Sequence, residues 1–204
     1  MSMNEGPLRE RLIDVGVEMV TAEGTAALGL REIARRAGVS HGAPRRYFPT
    51  HQALLSAIAR RGFADLGARF TVAGAGEASP RERVRALATA YVAYALEQRG
   101  MFELMFRHDL LDSTGQEGSD GPRLRESTRP LFAMLVGLVS RCGAADPEVT
   151  AAALWANLHG VAQLWGAGSL PLALGDSADG PDRGAYVARL VGAALDAHLG
   201  ADPS

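Results

Sequence analysis

Apolar positions recur along this chain with helical spacing, and no stretch alternates in the manner of a strand. Leu8, Leu12, Val15 and Met19 predict a first helix over 8–24, ended by Gly24. Leu30, Ile33, Ala34 and Ala37 lie at i, i+3, i+4 and i+7, with Arg31, Glu32, Arg35 and Arg36 on the opposite face. Gly38 follows the last periodic residue, where a helix end favours positive φ. Ser40 is a good N-cap for a next helix over 41–47, which carries Arg45 and Arg46. Pro44 would be its fourth residue and removes the first i to i−4 bond, so an opened or 3₁₀-like turn is expected there. Two short helices joined by a glycine-containing turn make a helix-turn-helix, whose second helix enters the DNA major groove.

Further on, Pro49 and Thr50 break the pattern, and Thr50 can cap a long helix from His51 to about Phe70, apolar at Leu54, Ile58, Leu66 and Phe70. Residues 73–79 read as a linker. Pro80 starts a helix to about Arg99, and Gly100 is expected to break it. A Met/Phe-dense helix follows over 101–108, then a polar loop over 112–121. The helix over 122–142 holds Pro130, a kink site, and is expected to bury Leu131, Phe132, Leu135, Leu138 and Val139. The segments 147–168 and 182–199 are apolar over most of their surface, with a Gly/Pro/Asp loop at 169–183 between them. The expected fold is all-α with about nine helices. A helix-turn-helix domain occupies residues 1–50, a linking helix 51–72, and a helical ligand-binding and dimerisation domain 73–204.

Charge sharpens this picture. The whole chain carries −2, yet residues 1–70 hold ten arginines against seven carboxylates, net +3, and the remainder is net −5. A basic first third on an acidic body fits a local DNA footprint. A single cysteine, Cys142, excludes an internal disulfide and a cysteine metal cluster. No apolar run reaches the roughly 18 residues of a membrane span, and no signal-peptide layout opens the chain. A cytoplasmic protein is expected. Catalytic patterns such as GxSxG, Walker A or HExxH do not occur, so neither an enzyme nor a cofactor or metal is expected.

The run Arg31–Phe48, with Ile33-Ala34, Ala37-Gly38-Val39-Ser40, Gly42 and Tyr47-Phe48, resembles the DNA-binding domain of TetR-family transcriptional regulators, as does Phe48–Leu55 after it. The chain departs from the family at Gly29, where Thr is usual, at Arg45, where an aromatic is usual, and at His51, where Lys is usual. The body resembles the class marked by Trp, His and Gly, here Trp155, His159 and Gly160. The resemblance implies a bacterial homodimer bound to double-stranded DNA and answering to a small-molecule effector. It places DNA contacts on Gly29, Arg31, Ser40, His41, Gly42, Ala43, Arg45, Arg46, Tyr47 and His51. Arg45 and Arg46 are candidates for either bases or phosphates. The expected effector wall is Leu87, Tyr91, Phe102, Met105, Phe106, Leu135, Trp155, His159 and Gln163. For His159 the alternative is an ordinary core histidine. The implied activity is repression relieved by a mostly apolar ligand. The rival reading is an all-helical small-molecule binder or enzyme with a vestigial helix-turn-helix, which would have no reason to keep Arg45, Arg46 and Tyr47.

Overall fold

The computed structural model describes residues 5–76, 79–111, 124–175 and 183–201. The polar loop predicted over 112–121 lies outside them, as do residues 176–182 of the loop predicted over 169–183. Nine α-helices and two 3₁₀ turns, and no strands, make up the described residues. They are α1 (Glu5–Glu23), α2 (Leu30–Arg36), α3 (His51–Ala73), α4 (Pro80–Glu97), α5 (Arg99–Phe106), α6 (Leu124–Arg141), α7 (Pro147–Gly166), α8 (Ser169–Leu174) and α9 (Arg183–Leu199). No described helix is long and apolar enough to cross a membrane.

The chain forms two compact units. The first contains residues up to Asp65 together with Gln98–Thr128. Its core is Leu12, Met19, Ile33, Ala34, Phe48, Leu54 and Ile58, all buried. The short α5 belongs to this unit and packs on α1. Gly100 does not break a helix, as its residue type suggested; the break falls at Gln98, and Gly100 sits inside α5. A Cβ there would stand 2.1 Å from the Val20 carbonyl oxygen and 3.2 Å from the Gly24 Cα. Glycine therefore lets the two helix backbones meet. Thr25 Oγ1 donates to Glu103 Oε1 at 3.0 Å beside this contact. The side chains of Met101 and Met105 lie over Gly62 of α3, within 2.8 Å of where a Cβ would stand.

The second unit contains Leu66–Glu97 and Arg129 onward. Here α4, α7 and α9 pack mutually through Val84, Leu87 and Val92, Leu154, Leu158 and Trp165, and Val187, Val191 and Leu195. Ser79 and Glu82 start α4 with a reciprocal capping box: Ser79 Oγ accepts from Glu82 N–H at 3.2 Å, and Glu82 Oε2 from Ser79 N–H at 2.7 Å. Asp146 caps α7, accepting from Val149 N–H at 3.1 Å.

Several expectations need correction. Thr25–Ala27, read as loop, is a 3₁₀ turn. Ser169–Leu174, also read as loop, is the short α8, held between two glycines in the left-handed region, Gly168 and Gly175. In α6 only Leu138 and Val139 of the five predicted core residues are fully buried, while Leu131, Phe132 and Leu135 are half-buried. The outer faces of α7 and α9 carry many small side chains, but Val149, Trp155 and Leu164 of α7 are large and exposed.

Candidate nucleic-acid interface and aromatic cluster

The helix-turn-helix is built as the sequence dictates up to its second element. Gly29, extended at φ −72° and ψ 134°, precedes α2 without a side-chain cap. At the other end Gly38 adopts φ +68°. Val39 N–H donates to the Ala34 carbonyl at 3.0 Å and Gly38 N–H to Arg35 at 3.1 Å, a Schellman closure. The predicted helix over 41–47 is only the 3₁₀ turn Ala43–Arg46, preceded by Gly42, and Ser40 gives it no side-chain cap. Pro44 supplies the reason. Its missing N–H cannot bond the Ser40 carbonyl, which instead accepts from Ala43 at 3.0 Å. Helical bonding returns only where Phe48 N–H reaches the Pro44 carbonyl at 2.9 Å. Thr50 then caps α3 as expected, accepting from Ala53 N–H at 3.0 Å.

The arginines divide into two groups. Arg35 holds Glu32 through Nε at 2.8 Å and Nη2 at 2.5 Å. Arg36 reaches Glu32 at 2.8 Å and also bonds Glu23. Hydrogen bonds from Arg35 and then Arg36 hold the Glu32 carboxyl down at about 2. By contrast, Arg31, Arg45 and Arg46 are exposed and have no hydrogen-bond or ion-pair partner among the described residues. Gly29, Ser40, His41 and Gly42 are exposed too, while Ala43 and Tyr47 are half-buried. His51, at the start of α3, donates from Nε2 to the Leu28 carbonyl at 2.6 Å. One edge of its ring is thus engaged in tying α3 to the loop before α2.

The predicted effector wall falls in both units. Phe102, Met105 and Phe106 lie in the first, on α5. The Phe106 ring stands 4.9 Å from Phe102 and edge-on to Phe63 at 5.9 Å. Leu87, Tyr91, Leu135, Trp155, His159 and Gln163 lie in the second. Of these, Tyr91, Trp155, His159 and Gln163 come together. The buried Tyr91 hydroxyl accepts from Trp155 Nε1 at 3.1 Å and shares a hydrogen bond with His159 Nδ1 at 2.7 Å. Burial pushes the Tyr91 pKa up and that of half-buried His159 down. Tyr91 therefore keeps its proton, and His159 is neutral near pH 7. The Gln163 amide nitrogen is 3.4 Å from His159 Nε2. Phe132, which sequence reasoning assigned only to the core, places its ring 6.2 Å from Trp155. Leu87 packs beside Gly74 at the end of α3. Trp155 remains 40% exposed despite its bond to Tyr91, so the cluster reaches the surface of this unit.

A helix-turn-helix presenting unpaired arginines, followed by a helical unit with a polar-aromatic cluster, defines the class of ligand-responsive DNA-binding regulators. Residues 12–58 match the family model of bacterial regulatory proteins of the tetR family, and residues 84–193 match the tetracyclin repressor-like C-terminal domain. The chain belongs to the TetR family of transcriptional regulators. It is 30% identical over 161 residues to the HTH-type transcriptional regulator BetI of Rhizobium meliloti (strain 1021), covering 75% of each chain. Among solved structures, a protein of unknown function from Rhodococcus sp. RHA1 superposes with a TM-score of 0.72 at 30% identity, covering 98% of this chain and 97% of that one. A tetR-family regulatory protein from Rhodococcus RHA1 shares the fold, with a TM-score of 0.68 at 20% identity over the whole of both chains.

Proposed function

We propose that this regulator is a homodimeric repressor that holds a pseudo-palindromic operator and leaves it when a small, mostly apolar effector binds. Residues 1–50 read DNA, 51–72 link, and 73–204 take effector and partner. The observation that carries the DNA assignment is the contrast between Arg35 and Arg36, occupied by Glu32 and Glu23, and the unpartnered Arg31, Arg45 and Arg46. Guanidiniums left without carboxylates in a helix-turn-helix are available to phosphates and guanine edges. Tyr47, His51 and the backbone near Gly29 and Ser40 add phosphate contacts, and His41, Gly42 and Ala43 lie against the groove.

Support for the effector comes from Tyr91, Trp155, His159 and Gln163, a small polar set among apolar neighbours. Neutral His159 and the absence of lysine from the whole chain favour a ligand with one or two hydrogen-bonding groups over a multiply charged one. Support for the dimer comes from the outward face of α7, where Val149 is 63% and Leu164 50% exposed. Ala152, Ala156 and Gly160 between them permit close helix approach. Two copies of α7 and α9 make a four-helix bundle about a two-fold axis. The recognition elements then sit roughly 34–36 Å apart on DNA. Since α3 runs through both units, effector binding is felt along one continuous helix. The effector need favour the released state by only about 1–3 kcal/mol.

Gel retardation with the DNA upstream of the protein's own coding sequence tests the assignment, combined with light scattering at micromolar concentration. Thermal-shift hits from a screen of apolar metabolites are then added to the complex. A monomer, or DNA affinity unmoved by every saturating hit, defeats the corresponding part.

A further inference from the structure

We propose that the DNA contact extends beyond the helix-turn-helix to α1, where the Arg9 guanidinium takes a backbone phosphate flanking the groove contacts. This rests on the DNA-binding reading above. Arg9 lies 39 residues before Phe48, outside the two elements of the helix-turn-helix. The fold nevertheless brings it there: its guanidinium carbon stands 5.4 Å from the centre of the Phe48 ring. Phe48 is itself buried, and it follows the recognition turn, directly after Tyr47 and three residues before His51. The flat face of a fixed aromatic ring holds the guanidinium beside the segment that carries the candidate phosphate contacts.

The charge around Arg9 is suited to an anion. Its carboxylate partner is Glu10, at 2.8 Å, and Glu10 is shared with Arg61 of α3. One carboxylate thus serves two guanidiniums. Arg61 also lies 3.7 Å from Asp14, so Glu10 and Asp14 face Arg9 and Arg61, and burial and then the charge of Arg9 push the pKa of the neighbouring Arg60 down. Arg9 retains about a third of its side-chain exposure (34%), enough for a further ligand to reach it. A planar fork with several donors suits a phosphate's paired oxygens, and a phosphate contact of this kind adds affinity without sequence preference.

A fluorescent duplex from upstream of the protein's own coding sequence, and a scrambled duplex of the same composition, are titrated between about 50 and 200 mM salt. Arg9→Met keeps an aliphatic chain on Phe48 and removes the charge. It is expected to flatten the plot of log affinity against log salt by about 0.9 per subunit, equally on both duplexes. Arg9→Lys should keep the wild-type slope. Glu10→Gln, which removes the competing carboxylate, should tighten binding. A folded Arg9→Met with wild-type slope and affinity overturns the proposal. Should that variant fail to fold, a Glu10→Gln protein that binds no tighter overturns it instead. Wild-type protein that binds neither duplex sinks the DNA-binding reading itself, a result distinct from the loss of Arg9 alone.

Discussion

Gly100→Ala sets local and long-range effects against each other. Within a helix, replacing glycine by alanine stabilises by about 0.5–1 kcal/mol, because less backbone entropy is lost on folding. At this position the new Cβ would stand 2.1 Å from the Val20 carbonyl oxygen, whereas ordinary contact begins at 3.4 Å. The obstacle is backbone, so no rotamer change relieves it. Either α5 moves from α1 by about 1.3 Å or the contact is compressed, and overpacking of this kind costs about 1–3 kcal/mol. At the upper end of that range the net loss is about 2 kcal/mol. For a chain of 204 residues, that lowers Tm by about 4–8 °C. Gly137 in α6 is the control: it is exposed, and a Cβ there meets nothing within 4 Å. Gly137→Ala should raise Tm by about 1–4 °C. Both are read by differential scanning calorimetry at equal concentration. A Gly100→Ala protein melting at or above wild type would refute the claim that this glycine serves backbone contact.

Thr50→Ala removes the α3 cap and should cost about 1 kcal/mol in thermal or urea unfolding, with weaker operator binding; an unchanged midpoint contradicts it. Arg45→Ala should weaken operator binding by about 1–3 kcal/mol if Arg45 reads a base, with the loss concentrated at one position of a singly substituted operator set. Loss of neither affinity nor preference removes Arg45 from the interface. His159, neutral through burial, takes up its proton less readily folded than unfolded. Wild-type stability should therefore fall as pH drops below the unfolded value of about 6.5 and level off below the depressed folded value. His159→Gln should lack that component when Tm is followed from pH 7.5 to 5, so parallel curves for the two proteins would count against it. Tyr91→Phe removes the hydroxyl that bonds both Trp155 Nε1 and His159 Nδ1, an expected loss of about 0.5–1.5 kcal/mol in unfolding free energy.

Much of this architecture is legible locally. Periodic apolar residues place α1, α3, α4, α7 and α9 to within a few positions, and Gly38 announces the closure of α2. The recognition element is shorter than its sequence suggested because one proline outweighs the capping Ser40. The α8 turn is hidden by Gly168, Pro171 and Gly175, whose composition reads as loop although six residues between the glycines are helical. Trp155 and His159 were recognisable as a pair at i and i+4. Their shared partner Tyr91 lies more than sixty residues away, and no pattern along the chain specifies that it bonds both. The placement of Arg9 on Phe48 and of Gly100 on Val20 is likewise set by packing between distant segments. The same limit explains why Phe102, Met105 and Phe106 were grouped with Tyr91, although α5 is built into the other unit.

That membership of α5 bears on how the protein is made and how it can be recombined. A ribosome that has just released Ala73 has delivered the whole helix-turn-helix, yet the Val20–Gly24 end of α1 still lacks the helix that covers it. Arg99–Phe106 must follow before the reader's packing is complete, a delay of several seconds at about 5–20 residues per second. A graft that transfers only the first 73 residues onto another regulator's body would carry the groove-facing arginines but leave behind the Gly100 contact and the methionines over Gly62. A transferable cassette is therefore discontinuous: a new specificity on this scaffold is more safely installed by exchanging side chains between Gly29 and His51 than by moving the segment as a block.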